Sequence, residues 1–239
     1  MKLDRLTLPI ATGGTIAALD YEPRRSRDVT LVVGHGYSSS KANLDALCAF
    51  LASHGFRIIS VDFPGHKLGC SGGRLESIDD LTATMAAALS FARERYGPTL
   101  YTLGHSMGAT TALRACAADL TVTGAISIAT GYGRPNALAA LGLRGAIDLR
   151  SAYVDGLTLQ EVVAQTEAVL DAALAALAGR PVLYVAADRD GMVSRTSADD
   201  LFARAPEPKS FAVISSDHTT AGEHARAAVL AWLGERHPR

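Results

Sequence analysis

From Thr30 onward, short β-rich runs alternate with helical patterns, and a chain built that way folds as a mostly parallel sheet with helices on both of its faces. The runs are residues 30–34, 57–62, 100–104, 125–128, 182–186 and 210–214. Between them, Leu44, Leu47, Cys48 and Leu51 share one helical face, and Gly55 follows where a C-terminal cap belongs. Ser77 and Asp80 open a second stripe, Ile78, Leu81, Met85 and Leu89, which ends near Gly97. Two earlier runs, residues 3–10 and 15–21, are joined by residues 11–14, too few for a crossover helix, so they should pair as an antiparallel hairpin at one edge. The expected fold class is therefore α/β, with about eight strands in a mixed sheet.

One connection breaks the rhythm. Residues 131–180 separate the sixth run from the seventh, far more than a usual β-to-α connection. The stretch is rich in Ala and Leu, and Thr158 with Glu161 forms a capping box ahead of a helix expected to run to about Ala178. It reads as a small helical cap inserted into a single domain spanning residues 1–239; the plainer alternative is helices that cover the sheet without touching substrate.

Composition narrows the partners. Lys and Arg total 23 against 24 for Asp and Glu, so no net field gathers nucleic acid or an anionic membrane. The cluster Arg24, Arg25 and Arg27 reads as a solvated loop. Cys48, Cys70 and Cys116 are an odd number without C-x-x-C spacing, which suits neither a disulfide framework nor a zinc site and points to a reducing cytoplasm. No signal peptide and no membrane span is expected. Oligomeric state is open.

The chemistry concentrates at Gly104-His105-Ser106-Met107-Gly108, which follows the strand at 100–104 and precedes a helix expected over residues 107–118. A serine on so sharp a strand-to-helix turn is forced outward, and glycines flank it because a Cβ there would strike neighbouring backbone. The bland reading makes Ser106 an ordinary helix cap.

Taken with the strand-loop VVGHGYSS and the segment DFPGHKLGCSGG, the GHSMG motif resembles the α/β-hydrolase superfamily, closest to its esterase, monoacylglycerol-lipase-like and serine-aminopeptidase-like branches. The resemblance spans residues 30–218 and implies the α/β-hydrolase fold. It implies Ser106 as nucleophile, with an acid and a base downstream. Val185-Ala186-Ala187-Asp188-Arg189-Asp190-Gly191-Met192-Val193 is similar to the family's G-x-x-D-x-x-V loop with Ala187 for Gly, and that alignment selects Asp190 as the acid over Asp188. His218 stands where the family places its base, although Asp217 replaces the usual Gly before it; His224 is the fallback. The oxyanion donors implied are the Met107 amide and, from Gly34-His35-Gly36-Tyr37, the amide of Tyr37. Tyr37, Met107 and Met192 are the residues expected against substrate, and His35 is read as a structural hydrogen-bonding residue. Lys67-Leu68 is an extra pair beside the family's commoner D-x-P-G-H-G-x-S form.

No cofactor is expected: Gly34-x-Gly36 has Ser39 where a dinucleotide fingerprint needs its third glycine. No metal is expected, since His35, His66, His105, His218 and His224 lack the helical spacing with a carboxylate that a zinc motif requires. Ser106, rather than an aspartate, at the turn sets aside dehalogenases and epoxide hydrolases. The function implied is cleavage of a small-molecule carboxylic ester through an acyl-enzyme, with the acyl chain length left open. Thioesterase, amidase and peptidase activities use the same three residues, and a non-catalytic binding protein could keep the same fold.

Overall fold

A computed structural model describes residues 1–10, 13–133 and 149–238. Strands β1 (Lys2–Pro9) and β2 (Thr15–Glu22) form the antiparallel edge hairpin, paired from Lys2 with Glu22 to Pro9 with Thr15. Six parallel strands follow: β3 (Thr30–Gly34), β4 (Arg57–Val61), β5 (Leu100–His105), β6 (Gly124–Ile128), β7 (Val182–Ala187) and β8 (Lys209–Ile214). The spatial order is β1-β2-β4-β3-β5-β6-β7-β8, with β2 antiparallel to β4. The expected mixed, eight-stranded sheet is the one that forms.

The strand order positions the site. From β3 the chain steps outward to β4, then crosses back to β5 and continues the other way, so β3 and β5 are neighbours from which connections diverge. Loops leaving the carboxyl ends of two such strands open a crevice, and Gly34 lies in register with Gly104 at that point.

Helices α1 (Asp45–Ser53), α2 (Ile78–Tyr96), α3 (Met107–Ala118), α4 (Leu159–Ala175), α5 (Arg195–Arg204), α6 (Ala221–His224) and α7 (Arg226–Arg236) cover the sheet. Successive strand residues point to opposite faces, so Val32 joins a core with α2, α3 and α4 while Leu31 and Val33 join one with α1 and α7. Strand β3 is buried at every position because both faces are covered. Both expected capping boxes close, Ser77 with Asp80 on α2 and Thr158 with Glu161 on α4. Helix α4 stops at Ala175 rather than Ala178, where the Leu177 and Arg180 amides bond only three residues back in tightened turns.

The basic cluster divides. Arg24 and Arg25 are exposed as expected, but Arg27 is not a solvated loop residue. Its guanidinium donates to the His54 carbonyl at 2.9 Å and to that of His237, and it lies 4.9 Å from the Phe56 ring centroid. Three groups from distant segments hold it in place.

Of the expected insert, residues 134–148 lie outside the described residues. The segment leading into α4 is stitched to the loop after β4. Asp155 N–H donates to Gly65 O at 2.8 Å, Leu75 N–H to Asp155 O at 2.8 Å, and Leu157 N–H to Leu75 O at 2.8 Å. The extra Lys67 completes the seam: its N–H donates to Tyr153 O at 3.0 Å, and its ammonium reaches Ala152 O at 3.0 Å and Asp155 at 3.1 Å. No described helix is long and apolar enough to cross a membrane.

Candidate active site

The turn between β5 and α3 is tight because its glycines touch backbone. A Cβ on Gly104 would sit 1.9 Å from Gly108 O, and one on Gly108 would sit 2.2 Å from Gly34 O. Ser106 between them adopts φ 55° and ψ −116°, a conformation costly for a non-glycine residue and typical of a side chain held outward at a functional turn. It precedes α3 but makes no side-chain cap bond, so the helix-cap reading of Ser106 does not hold. Gly104→Ala should lower stability by about 3 kcal/mol or more, since only main chain stands in the way. Chemical denaturation of the variant against wild type measures this.

Ser106 Oγ lies 3.0 Å from His218 Nε2, and His218 Nδ1 lies 2.8 Å from Asp190 Oδ2. A carboxylate can only accept, so Nδ1 carries the proton and Nε2 is left as the acceptor facing the serine hydroxyl. Asp190 Oδ1 accepts from the amides of Met192 and Val193, each at 2.8 Å. Burial pushes the Asp190 carboxyl up, but the His218 ring and these two N–H donors outweigh it and hold it below the usual carboxylate range. Asp188 points elsewhere: it accepts from Ser216 N–H at 3.0 Å and lies 3.5 Å from Arg189. His224 bonds Thr220 O at 3.0 Å on α6.

Two residues that the motifs did not single out brace the histidine. His105 Nε2 donates to the His218 carbonyl at 2.7 Å, tying the loop after β8 to the serine turn. Asp217, where the family has glycine, accepts from Thr220 N–H at 2.9 Å and from the hydroxyls of Thr219 and Thr220 at 2.8 and 3.0 Å. These donors lower its carboxyl to about 2. The signal was in the sequence, since Asp followed by Thr two and three residues later is turn-forming.

The loop after β3 runs against the serine. A Cβ on Gly36 would lie 3.4 Å from Ser106 Cβ, so the next peptide, carrying the Tyr37 N–H, begins beside the nucleophile position. His35, fully buried, donates from Nδ1 to Gly36 O at 2.8 Å and accepts at Nε2 from Phe63 N–H at 3.1 Å. Burial drives the ring's pKa down to about 3, so it stays neutral and fixes the plane of the Gly36–Tyr37 peptide. The Tyr37 hydroxyl turns away to Leu157 O at 2.9 Å. Met107 lines a separate narrow cavity against α4, with Leu159 and Val163. Met192, Tyr37 and Leu159 do line the cleft of about 170 Å³ that holds Ser106 and His218.

Behind this loop, the buried Asp62 carboxylate accepts from Lys41 N–H at 2.8 Å and Cys70 N–H at 2.7 Å and pairs with the Lys41 ammonium. Burial raises its carboxyl, yet the Lys41 and Cys70 donors prevail and hold it below the usual range. Asp62→Asn leaves Lys41 without its anion and should cost about 3 kcal/mol. A carboxyl held down in the fold contributes stability above its unfolded value of about 3.9 and loses it as pH falls through the folded value. Melting temperatures of wild type should therefore fall more steeply below about pH 4 than those of the asparagine variant.

Among the described residues no group of three or more His, Cys, Asp or Glu is placed to hold a metal ion. A doubly wound sheet with a strand-serine-helix turn at its switch point defines an α/β hydrolase. The chain belongs to the family described as serine aminopeptidase, S33, which residues 25–171 match. A serine hydrolase-like protein of Dictyostelium discoideum is 33% identical over 109 residues, 44% of this chain and 29% of that protein, so the match spans less than a third of its length. Among solved structures, the esterase domain of a Rhodothermus marinus protein superposes with TM-score 0.73 at 19% identity over 99% of both chains. A cold-adapted esterase from an Arctic intertidal metagenomic library gives 0.71 at 20% identity over 98% of this chain and 94% of its own. An esterase of Pyrococcus furiosus gives 0.75 at 15% identity over 99% and 89%.

Proposed function

We propose that this chain cleaves carboxylic esters of small acids through an acyl-enzyme on Ser106, as one domain whose residues 131–180 act as a cap beside the cleft. The reading rests on the unbroken contact chain from Ser106 Oγ through His218 to Asp190, 3.0 and then 2.8 Å. His218 takes the serine proton as Oγ attacks the carbonyl, then returns it to the leaving alcohol. It next deprotonates the water that releases the acid. Asp190 holds the tautomer and stabilises the imidazolium. The Tyr37 and Met107 amides receive the oxyanion, the first steadied by the His35 bond to Gly36 O. No cofactor takes part in this scheme. The three free thiols suit a reducing compartment, and we place the protein in the cytoplasm.

The family description makes aminopeptidase activity the second reading. An aminopeptidase must hold its substrate's α-ammonium, and the described lining of the cleft contains no Asp or Glu for that purpose. Ester cleavage is favoured on this ground. Labelling with a fluorophosphonate probe tests the nucleophile, and parallel assays of short esters, the matching thioesters and aminoacyl anilides test the leaving group. Labelling of Ser106 with faster turnover of esters than of anilides is expected. No labelling, or anilides cleaved in preference, overturns the reading.

A further inference from the structure

Among the described residues lining the cleft, Arg150 is the only Lys, Arg, Asp or Glu. Its guanidinium donates to Ser38 Oγ at 3.3 Å, and Ser38 directly follows Tyr37, whose amide is the proposed oxyanion donor. No carboxylate of the described residues lies within ion-pair distance of it. Arg57, Arg93, Arg114, Arg195 and Arg204, by contrast, each pair with an aspartate. A guanidinium at a site lip, held by a neutral hydroxyl, keeps a planar fork of donors free for a ligand, and that fork matches a carboxylate.

The segment that carries Arg150 is moored on both sides of the cleft. Lys67 holds the carbonyls of Ala152 and Tyr153, two and three residues on, and the Tyr37 hydroxyl holds Leu157 O. The extra Lys67-Leu68 pair thereby gains a use: Lys67 fixes the strap that presents Arg150, while Leu68 adds an apolar wall to the same cleft. Hydroxyl and amide groups of Ser39, Asn43 and Thr219 complete a lining that offers neutral polar groups and one cation.

We infer that the substrates carry a carboxylate a short distance from the scissile carbonyl, received by Arg150 beside Ser38. The inference rests on the proposed role of Ser106 and narrows the substrate class to half-esters of dicarboxylic acids or comparably anionic esters.

Monomethyl glutarate and methyl valerate have acyl chains of equal length and differ in the terminal carboxylate, and released methanol reports both. The kcat/KM ratio of the anionic to the neutral ester should be about tenfold in wild type, in line with one charged hydrogen-bonding partner. In Arg150→Gln that ratio should fall to near one, with Arg150→Lys between them because it keeps the charge without the fork. Free glutarate should inhibit wild type competitively and inhibit the glutamine variant about tenfold more weakly. The preference should shrink as ionic strength rises. A wild-type ratio near one, or a ratio that Arg150→Gln does not move, overturns the anionic subsite and leaves Ser106 in its role. Absence of fluorophosphonate labelling in wild type overturns the Ser106 assignment itself and the subsite with it.

Discussion

Ser106→Ala is expected to lower turnover of a short p-nitrophenyl ester by about 10⁴–10⁶-fold with the fold intact. The size follows from what the hydroxyl does and does not contact. It bonds His218 Nε2 at 3.0 Å and makes no side-chain cap bond to α3. Removing it therefore costs the helix no cap and the protein one hydrogen bond, about 1 kcal/mol. The strained φ of 55° remains in the alanine variant, because Cβ rather than Oγ causes the strain. Stopped activity with a nearly unchanged melting temperature is the expected pair of results, read by initial rates and calorimetry on the same preparation. A variant retaining a tenth of wild-type turnover would mean that attack on the ester does not pass through this oxygen.

Much of this arrangement was legible before any coordinates, and the reason is local. Strands β3 to β7 are buried on both faces, so their apolar runs are continuous, and the glycines at 104 and 108 mark a crossing that only main chain can make. Capping boxes at Ser77 and Thr158 are short-range patterns and needed no tertiary information. Helix α5 was not legible on the same terms, because its buried face consists of Ser197, Ala198 and Leu201, too little apolar area to make a stripe.

What escaped the sequence consists of side chains whose partners are backbone atoms far along the chain. Arg27 reaches the carbonyl of His237, and His105 reaches that of His218; no pattern of residue types encodes a carbonyl acceptor. The extra Lys67-Leu68 pair looked like a departure from a motif, and its meaning emerges only against Ala152, Tyr153 and Asp155. Sequence reasoning left open whether the Tyr37 hydroxyl touches substrate or packs; it bonds Leu157 O, while Tyr37 also lines the cleft with Ser106.

Asp190→Asn is expected to reduce kcat by about 10³–10⁴-fold while leaving the loop after β7 in place. The Met192 and Val193 amides at 2.8 Å need an acceptor, and the single oxygen of asparagine satisfies them only when its amide nitrogen faces His218. That nitrogen donates, so His218 Nδ1 must become the acceptor and the proton moves to Nε2. A protonated Nε2 cannot take a proton from Ser106, and the base is disabled without any loss of packing. Asp188→Asn makes the contrast, since that carboxylate is 44% exposed and bonds Ser216 N–H rather than the histidine. Its turnover should stay within about threefold of wild type, as for most exposed substitutions away from a reacting group. Because the neighbouring donors hold the Asp190 carboxyl below its ordinary range, it stays ionised well into acid. The difference between wild type and Asp190→Asn should therefore persist at pH 5 as at pH 8, and a difference that vanished at pH 5 would place the orienting charge on some other group.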